Sequence, residues 1–255
     1  NLTVDLLNRS SHGTSIHWHG LLVPFLMDGV PGVSMAAVKP GDTYRYQFPI
    51  RQSGTYWWHA HTLQEPLGHY GPLIVDPIEP EPYEYDRDYV VMLSDWSTMS
   101  PYSIMKKLKV AEGYFNYGKT TWTDDYDMSG EERRMWARMR MMPTDISDVS
   151  GATYTFLING HGPQDDLQLA FQPGERVRLR VINGSAMTFF NVRIPGVPMT
   201  VIQADGQDVD EVQVDEFQIG VAETYDVIVS PPDGSHAIVA EAMDRSGMGV
   251  ASLTS

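Results

Sequence analysis

Polar and apolar residues alternate with a period of two along much of the chain. The alternation is clear over residues 44–50 and again over 176–181, where valine and leucine alternate with arginine. Because successive side chains of a strand point to opposite faces, this period predicts half-buried strands. Turn sequences rich in glycine and proline separate them at 39–42, 172–175 and 231–234. Many short strands divided by such turns predict an all-β fold, an antiparallel sandwich or barrel.

Two helices interrupt the strand pattern. The first is predicted over residues 100–108, because Pro101 suits the first position of a helix. The second begins with a capping box, in which Glu132 follows Ser129 by three residues, and is predicted to end at Pro143.

The chain also contains an internal repeat. Residues 2–8 match 177–183 in pattern and 41–44 match 222–225, so the offset lies between 175 and 181. Two homologous β domains are the simplest explanation. The second copy is preceded by a strand-forming segment, 154–174, that has no counterpart in the first. We therefore expect the chain to be a piece of a longer protein, lacking the N-terminal strands of its first domain.

The repeat suggests a domain division. The first domain is expected over residues 1–77 and the second over 89–255, with a helical insert at about 100–142. A linker is expected at 78–88, since the alternation of proline with acidic residues around 76–82 favours an extended, solvated connection.

Candidate chemistry is concentrated in two His-x-His pairs, His17 with His19 and His59 with His61. On a strand, residues two apart point to the same face, so each pair presents two imidazoles together. Two such strands side by side would bring four imidazoles to one place. Imidazole suits copper or zinc rather than calcium or magnesium, which prefer oxygen ligands. One pair alone could be an ordinary half-exposed strand, but two pairs predict a metal site.

The second copy of the repeat has lost these histidines. Asn191 and Arg193 stand near the position of the first pair, and Val239 and Glu241 at that of the second. The second domain is therefore expected to hold no equivalent metal cluster.

Charge and cysteine content narrow the class of protein. Lys and Arg number 18 against 33 Asp and Glu, a net charge of −15, which argues against nucleic acid or an anionic membrane surface as partner. No apolar run approaches the roughly 20 residues of a membrane-spanning helix. The sequence has no cysteine, which excludes disulfides and any copper–thiolate centre within it.

Several motifs resemble the multicopper oxidase family. Those of its first cupredoxin domain are SIHWHGL at 15–21, MDGVPG at 27–32, GTYWWHAH at 54–61 and YGPLIV at 70–75. Those similar to its second, copper-free domain lie at 157–160, 173–180 and 204–206. Segments 94–96, 105–109, 134–140 and 144–145 resemble the copper-resistance branch, the periplasmic laccase-like oxidases of bacteria.

The resemblance implies two cupredoxin-like Greek-key domains, a periplasmic location and copper as cofactor. His17 would bind the type 2 copper of a trinuclear centre, His19 and His59 one type 3 copper, and His61 the other. Asp28 resembles the carboxylate that supplies protons while O2 is reduced, with Cu(I) or a phenol as electron donor. An ordinary Asp-Gly turn is the alternative explanation of Asp28.

The family also needs a third cupredoxin domain, which carries the cysteine of the type 1 copper and the remaining histidines. Because the present sequence has no cysteine, another domain or another chain would have to complete the cluster, and we expect this chain to be inactive in isolation. A non-catalytic copper-binding module, or a subunit that completes a copper site with another chain, is the alternative. A zinc hydrolase fits the ligand types but not the two-domain repeat.

Methionines form a further candidate group around the second helix. Their thioethers could bind Cu(I), but helical spacing makes a packing stripe the commoner explanation. The group comprises Met128, Met135, Met139, Met141 and Met142.

Overall fold

The structure is a computed structural model that describes residues 1–61, 63, 65–111, 113–115, 128–139 and 147–255. Strands are the predominant secondary structure of these residues and are grouped in two domains, which confirms the predicted all-β class. The first domain contains strands β1 Leu2–Leu7, β2 His17–His19, β3 Thr43–Phe48, β4 Gly54–His59 and β5 Tyr70–Val75.

The strands of the first domain form two small sheets. Strand β1 pairs antiparallel with β3, and β4 lies between β2 and β5 in a second antiparallel sheet. Between the sheets, the buried ring of Trp18 meets the rings of Tyr46 and Phe48 at centroid distances of 5.4 and 5.5 Å. Because Trp18 separates His17 from His19, its burial turns both histidines away from this core.

The second domain is larger and contains two sheets. One has the strand order β12-β11-β14-β9-β6-β7, and the other β13-β10-β15-β16-β8. Their bounds are β6 Arg87–Trp96, β7 Thr155–Ile158, β8 Gln168–Ala170, β9 Val177–Asn183, β10 Phe190–Arg193, β11 Met199–Ala204, β12 Gln207–Val214, β13 Glu216–Ile219, β14 Thr224–Val229, β15 Ser235–Ala242 and β16 Met248–Thr254.

The predicted repeat has a structural counterpart. The antiparallel pair β1–β3 corresponds to β9–β14, and the sheet β2-β4-β5 corresponds to the run β10-β15-β16. Strand β6 begins at Arg87, inside the segment 78–88 that we expect to be the linker, and it pairs parallel with β9.

Both predicted helices start where their sequence signals place them. Helix α1 spans Pro101–Leu108 and helix α2 spans Gly130–Met139. The capping box of α2 is formed, since the Ser129 amide donates to the Glu132 carboxylate at 2.8 Å and the Glu132 amide donates to the Ser129 hydroxyl at 3.3 Å. The expected end at Pro143 lies outside the described residues. Among the described helices, none has both the length and the apolar character needed to cross a bilayer.

Strand β9 differs from its prediction. The alternation of valine and leucine with arginine predicts a half-buried strand, yet all seven residues of β9 are buried. Arg178 is 0% and Arg180 3% exposed. The reason is that β9 is central in its sheet and the first domain packs over its arginine-bearing face, where Thr55 accepts a hydrogen bond from Arg180 at 3.0 Å.

Candidate metal centre

Strand pairing brings the two histidine motifs together. Strands β2 and β4 are antiparallel neighbours, with His17 directly opposite His59 and His19 directly opposite Trp57. Because opposed residues in an antiparallel pair share a face, His17, His19 and His59 point to the same side of the sheet.

Three of these imidazoles form a compact group. One ring nitrogen from each of His17, His19 and His59 lies within 4.8 Å of the others. His19 Nδ1 and His59 Nε2 are 3.2 Å apart. Two nitrogens that each lie about 2 Å from one transition-metal ion can be no more than about 4 Å apart, so this pair fits a shared ion.

His61 joins the group from a loop. Strand β4 ends at His59, so the argument that residues two apart share a strand face does not extend to His61. Its ring centroid is nevertheless 5.5 Å from that of His17 and 5.6 Å from that of His59. The four predicted imidazoles therefore lie together.

Backbone carbonyls fix the tautomers of two of them. His17 Nδ1 is 2.7 Å from the carbonyl oxygen of Asp28, and His59 Nδ1 is 3.1 Å from that of Ala60. A carbonyl can only accept, so each Nδ1 carries the proton and each Nε2 keeps the lone pair that a metal needs.

Burial also favours the neutral form. Burial lowers the pKa of His17, although its contacts with the Asp28 carbonyl and carboxylate oppose this effect. Burial, together with the neighbouring imidazoles His59, His17 and His61, lowers the pKa of His19 to about 4. Neutral imidazoles at neutral pH are what metal ligation requires.

Asp28 lies at the edge of the site in a tight turn. It ends a 3-10 helix, Phe25–Met27, and its amide donates to the carbonyl of Phe25 at 3.2 Å. Its Oδ1 is 3.4 Å from His17 Nδ1, with the side chain 34% exposed. The next residue, Gly29, has φ +78°, and a Cβ there would lie 1.8 Å from the Ile16 carbonyl oxygen. Asp28 therefore forms the Asp-Gly turn and also contacts His17, so the turn does not exclude a role beside the imidazoles.

Sequence reasoning missed the contribution of Trp57. Its ring stacks on His19 at a centroid distance of 5.1 Å and on His59 at 4.4 Å, with interplanar angles of 28° and 25°. The sequence shows an aromatic run at 56–58 beside the histidines but assigns no role to any one ring. Finding the stacking required the register of β2 against β4, because that register places Trp57 opposite His19.

The corresponding place in the second domain holds an ion-pair group. Arg193 Nη1 donates to Glu216 at 3.0 Å and to Glu241 at 2.9 Å. The register places Glu241 opposite Asn191, as His59 lies opposite His17. Glu241 is therefore the counterpart of His59, two residues from the alignment that sequence similarity suggested.

A cavity of about 350 Å³ adjoins the imidazoles. His19 and His59 form one wall, and most other lining side chains are apolar. Helix α1 contributes Ile104 and Met105 to the lining. Such a cavity suits a small uncharged molecule.

The methionine group is only partly described. Met135 is 56% exposed on α2, whereas the adjacent Trp136 is buried, so Trp136 and not Met135 anchors this helix. Among the described residues, Met135 is not part of a buried core, and the choice between packing and Cu(I) binding stays a prediction. Met141 and Met142 lie outside the described residues.

Comparison with known proteins defines the class. Two family models described as multicopper oxidase match residues 1–80 and 87–254. The chain belongs to the multicopper oxidase family, which binds copper and contains oxidoreductases.

Within that family, the chain is similar to copper resistance proteins. It is 52% identical to copper resistance protein A of Escherichia coli, over 96% of this chain and 42% of the relative. It is 51% identical to a copper resistance protein A homolog of Pseudomonas syringae pv. tomato, over 100% of this chain and 45% of the relative. These matches confirm the predicted copper-resistance branch, and the chain spans less than half the length of these relatives.

Solved structures share the fold. The blue copper oxidase from Nitrosomonas europaea is 26% identical with a TM-score of 0.71, and the match covers 99% of this chain and 72% of that one. A laccase from Botrytis aclada is 29% identical with a TM-score of 0.70, covering 98% and 44%. The predicted cupredoxin-like fold is thus confirmed.

Proposed function

We propose that this chain is part of a multicopper oxidase that couples one-electron oxidation of Cu(I) or phenols to four-electron reduction of O2 to water. It contributes half of a trinuclear copper site, and a third cupredoxin domain or another chain completes the cluster. A periplasmic location belongs to the same proposal. The observation that carries the proposal is the convergence of two His-x-His motifs in a member of this family.

The imidazoles divide between copper positions. His17 serves the type 2 copper, His19 and His59 share one type 3 copper, and His61 serves the other. The 3.2 Å separation of His19 Nδ1 and His59 Nε2 supports a shared ion for that pair. Bound copper would accept single electrons and deliver them to O2. The apolar cavity beside the same two histidines would admit O2 while keeping charged solutes out.

Copper and oxygen measurements test this function. We expect the complete protein to contain copper and to consume O2 with a phenol or Cu(I), and His59→Ala to lose both properties. His12→Ala, an exposed histidine of the same domain, is the matched control and should keep them. Zinc in place of copper, or copper without O2 consumption, would overturn the oxidase proposal.

The isolated 255-residue chain is expected to behave differently. It has no cysteine for a type 1 copper, so it should bind copper through its histidines without oxidising either donor. Oxidation by the isolated chain would contradict the proposed division of the site.

Asp28 is proposed to hold and transfer protons at the edge of the cluster. The Asp28 carboxylate is partly exposed, so solvent can reach it. Its Oδ1 also lies 3.4 Å from His17 Nδ1, at the edge of the imidazole group. Asp28→Asn keeps the carbonyl that orients His17 and removes only the acid. We expect copper content to be unchanged and kcat to fall by about 100-fold or more, whereas Asp42→Asn, an exposed turn residue, should leave kcat unaltered. An unaltered kcat in Asp28→Asn would limit Asp28 to its role in the turn.

A further inference from the structure

Strand β4, which carries His59, is attached to the second domain residue by residue. Thr55 Oγ1 donates to Asp226 Oδ2 at 2.9 Å, and Thr224 Oγ1 donates to the Thr55 carbonyl at 3.1 Å. Two residues further along, the indole nitrogen of Trp57 donates to the Ala222 carbonyl at 3.3 Å. The strand is therefore held by both its backbone and its side chains.

The two domains also pack closely at two glycines, where a side chain would not fit. A Cβ on Gly54 would lie 2.7 Å from the Gly206 carbonyl oxygen, and one on Gly206 would lie 2.5 Å from the Tyr56 hydroxyl. Close contact of this kind leaves β4 little freedom to slide or tilt against the second domain.

The anchor behind Thr55 is itself rigid. Asp226 Oδ2 accepts from Arg178 Nη2 at 2.6 Å and from Arg180 Nη1 at 3.3 Å. Both arginines are buried, and each is also held by an acid on the opposite side, Glu81 for Arg178 and Asp88 for Arg180. A buried network with this many charge-assisted bonds fixes the position of Thr55.

Trp57 transmits this attachment to the imidazoles. One face of the indole stacks on His19 and His59, and the ring packs in a buried cluster with Met92 and Ile182 of the second domain. The indole N–H bond to Ala222 sets its rotation. The indole of Trp57, held in place by the second domain, therefore restricts the side-chain rotation of His19 and His59.

We infer that Trp57 is a positioning residue through which the second, histidine-poor domain orients the metal-binding imidazoles His19 and His59. The inference rests on the proposed copper-binding function. Its consequence is that metal affinity in the first domain depends on contacts made by the second.

Cu(II) titration of the full 255-residue chain tests the inference. Affinity is measured by competition with a chelator, the Cu(II) environment by electron paramagnetic resonance, and folding by the unfolding midpoint. Trp57→Leu removes both the stacking and the indole N–H, and we expect it to weaken Cu(II) binding by about 10- to 100-fold and to change the resonance spectrum. Trp57→Phe retains a stacked ring, so its loss should be smaller. Trp58→Phe is the control, because Trp58 packs against the core of the first domain, and it should keep the parent affinity and spectrum.

A variant remote from the imidazoles keeps the test decisive if Trp57→Leu does not fold. Thr55→Val removes the hydroxyl that binds Asp226 and leaves the histidines and Trp57 intact. It should shift affinity and spectrum in the same direction by a smaller amount. Parent-like affinity and spectrum in both Trp57→Phe and Thr55→Val would overturn the inference. A parent chain that binds no Cu(II) would instead count against the proposed function.

Discussion

Removing the charge of Asp226 should destabilise the folded chain strongly. Asp226 Oδ2 accepts four hydrogen bonds, from Thr55 Oγ1, from Nε and Nη2 of Arg178, and from Nη1 of Arg180. Asp226→Asn is nearly isosteric, so it leaves no cavity. It removes the negative charge and leaves two buried guanidiniums with one carboxylate partner each, Glu81 and Asp88.

The size of the effect follows from the burial of these groups. Arg178 is 0% exposed and the Asp226 side chain 1% exposed, so solvent screens neither charge. Breaking such a pair costs about 3–5 kcal/mol when one partner is removed. Because Glu81 and Asp88 remain, we expect the lower end, about 3 kcal/mol, equivalent to a fall in Tm of about 6–12 °C for a chain of this size.

Urea unfolding at neutral pH, followed by tryptophan fluorescence, measures this free energy. Asp210→Asn, the same change at an exposed position of β12, is the control and should stay within about 0.5 kcal/mol of the parent. A loss below about 1 kcal/mol in Asp226→Asn would refute the reasoning. It would show that Glu81 and Asp88 alone are enough to balance the buried charges of Arg178 and Arg180.

Two other predictions concern the metal-site turn and the pH dependence of the domain contact. Gly29→Ala and Gly32→Ala both place a side chain at positive φ, at a cost of about 1–2 kcal/mol, but only a Cβ at position 29 would meet the Ile16 carbonyl oxygen, at 1.8 Å. Gly29→Ala should therefore lose more unfolding free energy and also weaken copper binding; equal losses would contradict the clash. Burial alone would raise the pKa of Glu81, but its bond to Arg178 outweighs burial and holds the pKa below its ordinary 4.5. The ionised Glu81 carboxylate therefore adds to the free energy of unfolding. This addition is complete above pH 4.5 and is lost as the pH falls through the lower pKa that Glu81 has in the folded chain. The difference in unfolding free energy between the parent and Glu81→Gln should therefore narrow in acid. The check is to measure the unfolding free energy of both proteins over a range of pH. A difference that does not change with pH would exclude this role of Glu81.

Features set by neighbouring residues could be predicted from the sequence. The capping box of α2 needs only Ser129 and Glu132, three residues apart, and it forms as predicted. The imidazoles of His17 and His19 share a face because the strand period is local. The prediction that both pairs meet needed one more assumption, that β2 and β4 are neighbours, and the structure places them side by side.

Features that depend on contacts distant in sequence were not predictable. The arginines of β9 resemble solvent-facing positions because their acidic partners are 46 to 97 residues away. Trp57 resembles an ordinary core residue, since its stacking depends on strand register and on a carbonyl 165 residues further along. His61 reaches the site from a loop, and no period of the sequence describes a loop position.

The two domains differ greatly in the size of their cores, and this has a consequence for assembly. Among the described residues, the central cluster of the first domain has three buried hydrophobic side chains, against 27 in that of the second. As it stands in this chain, the first domain is expected to open more often than the second, and its amide hydrogens to exchange sooner. Contacts of β4 with the second domain then contribute much of the stability of this strand. Because the imidazoles converge when β2 and β4 pair, metal binding should stabilise this pairing and slow the exchange of its amide hydrogens.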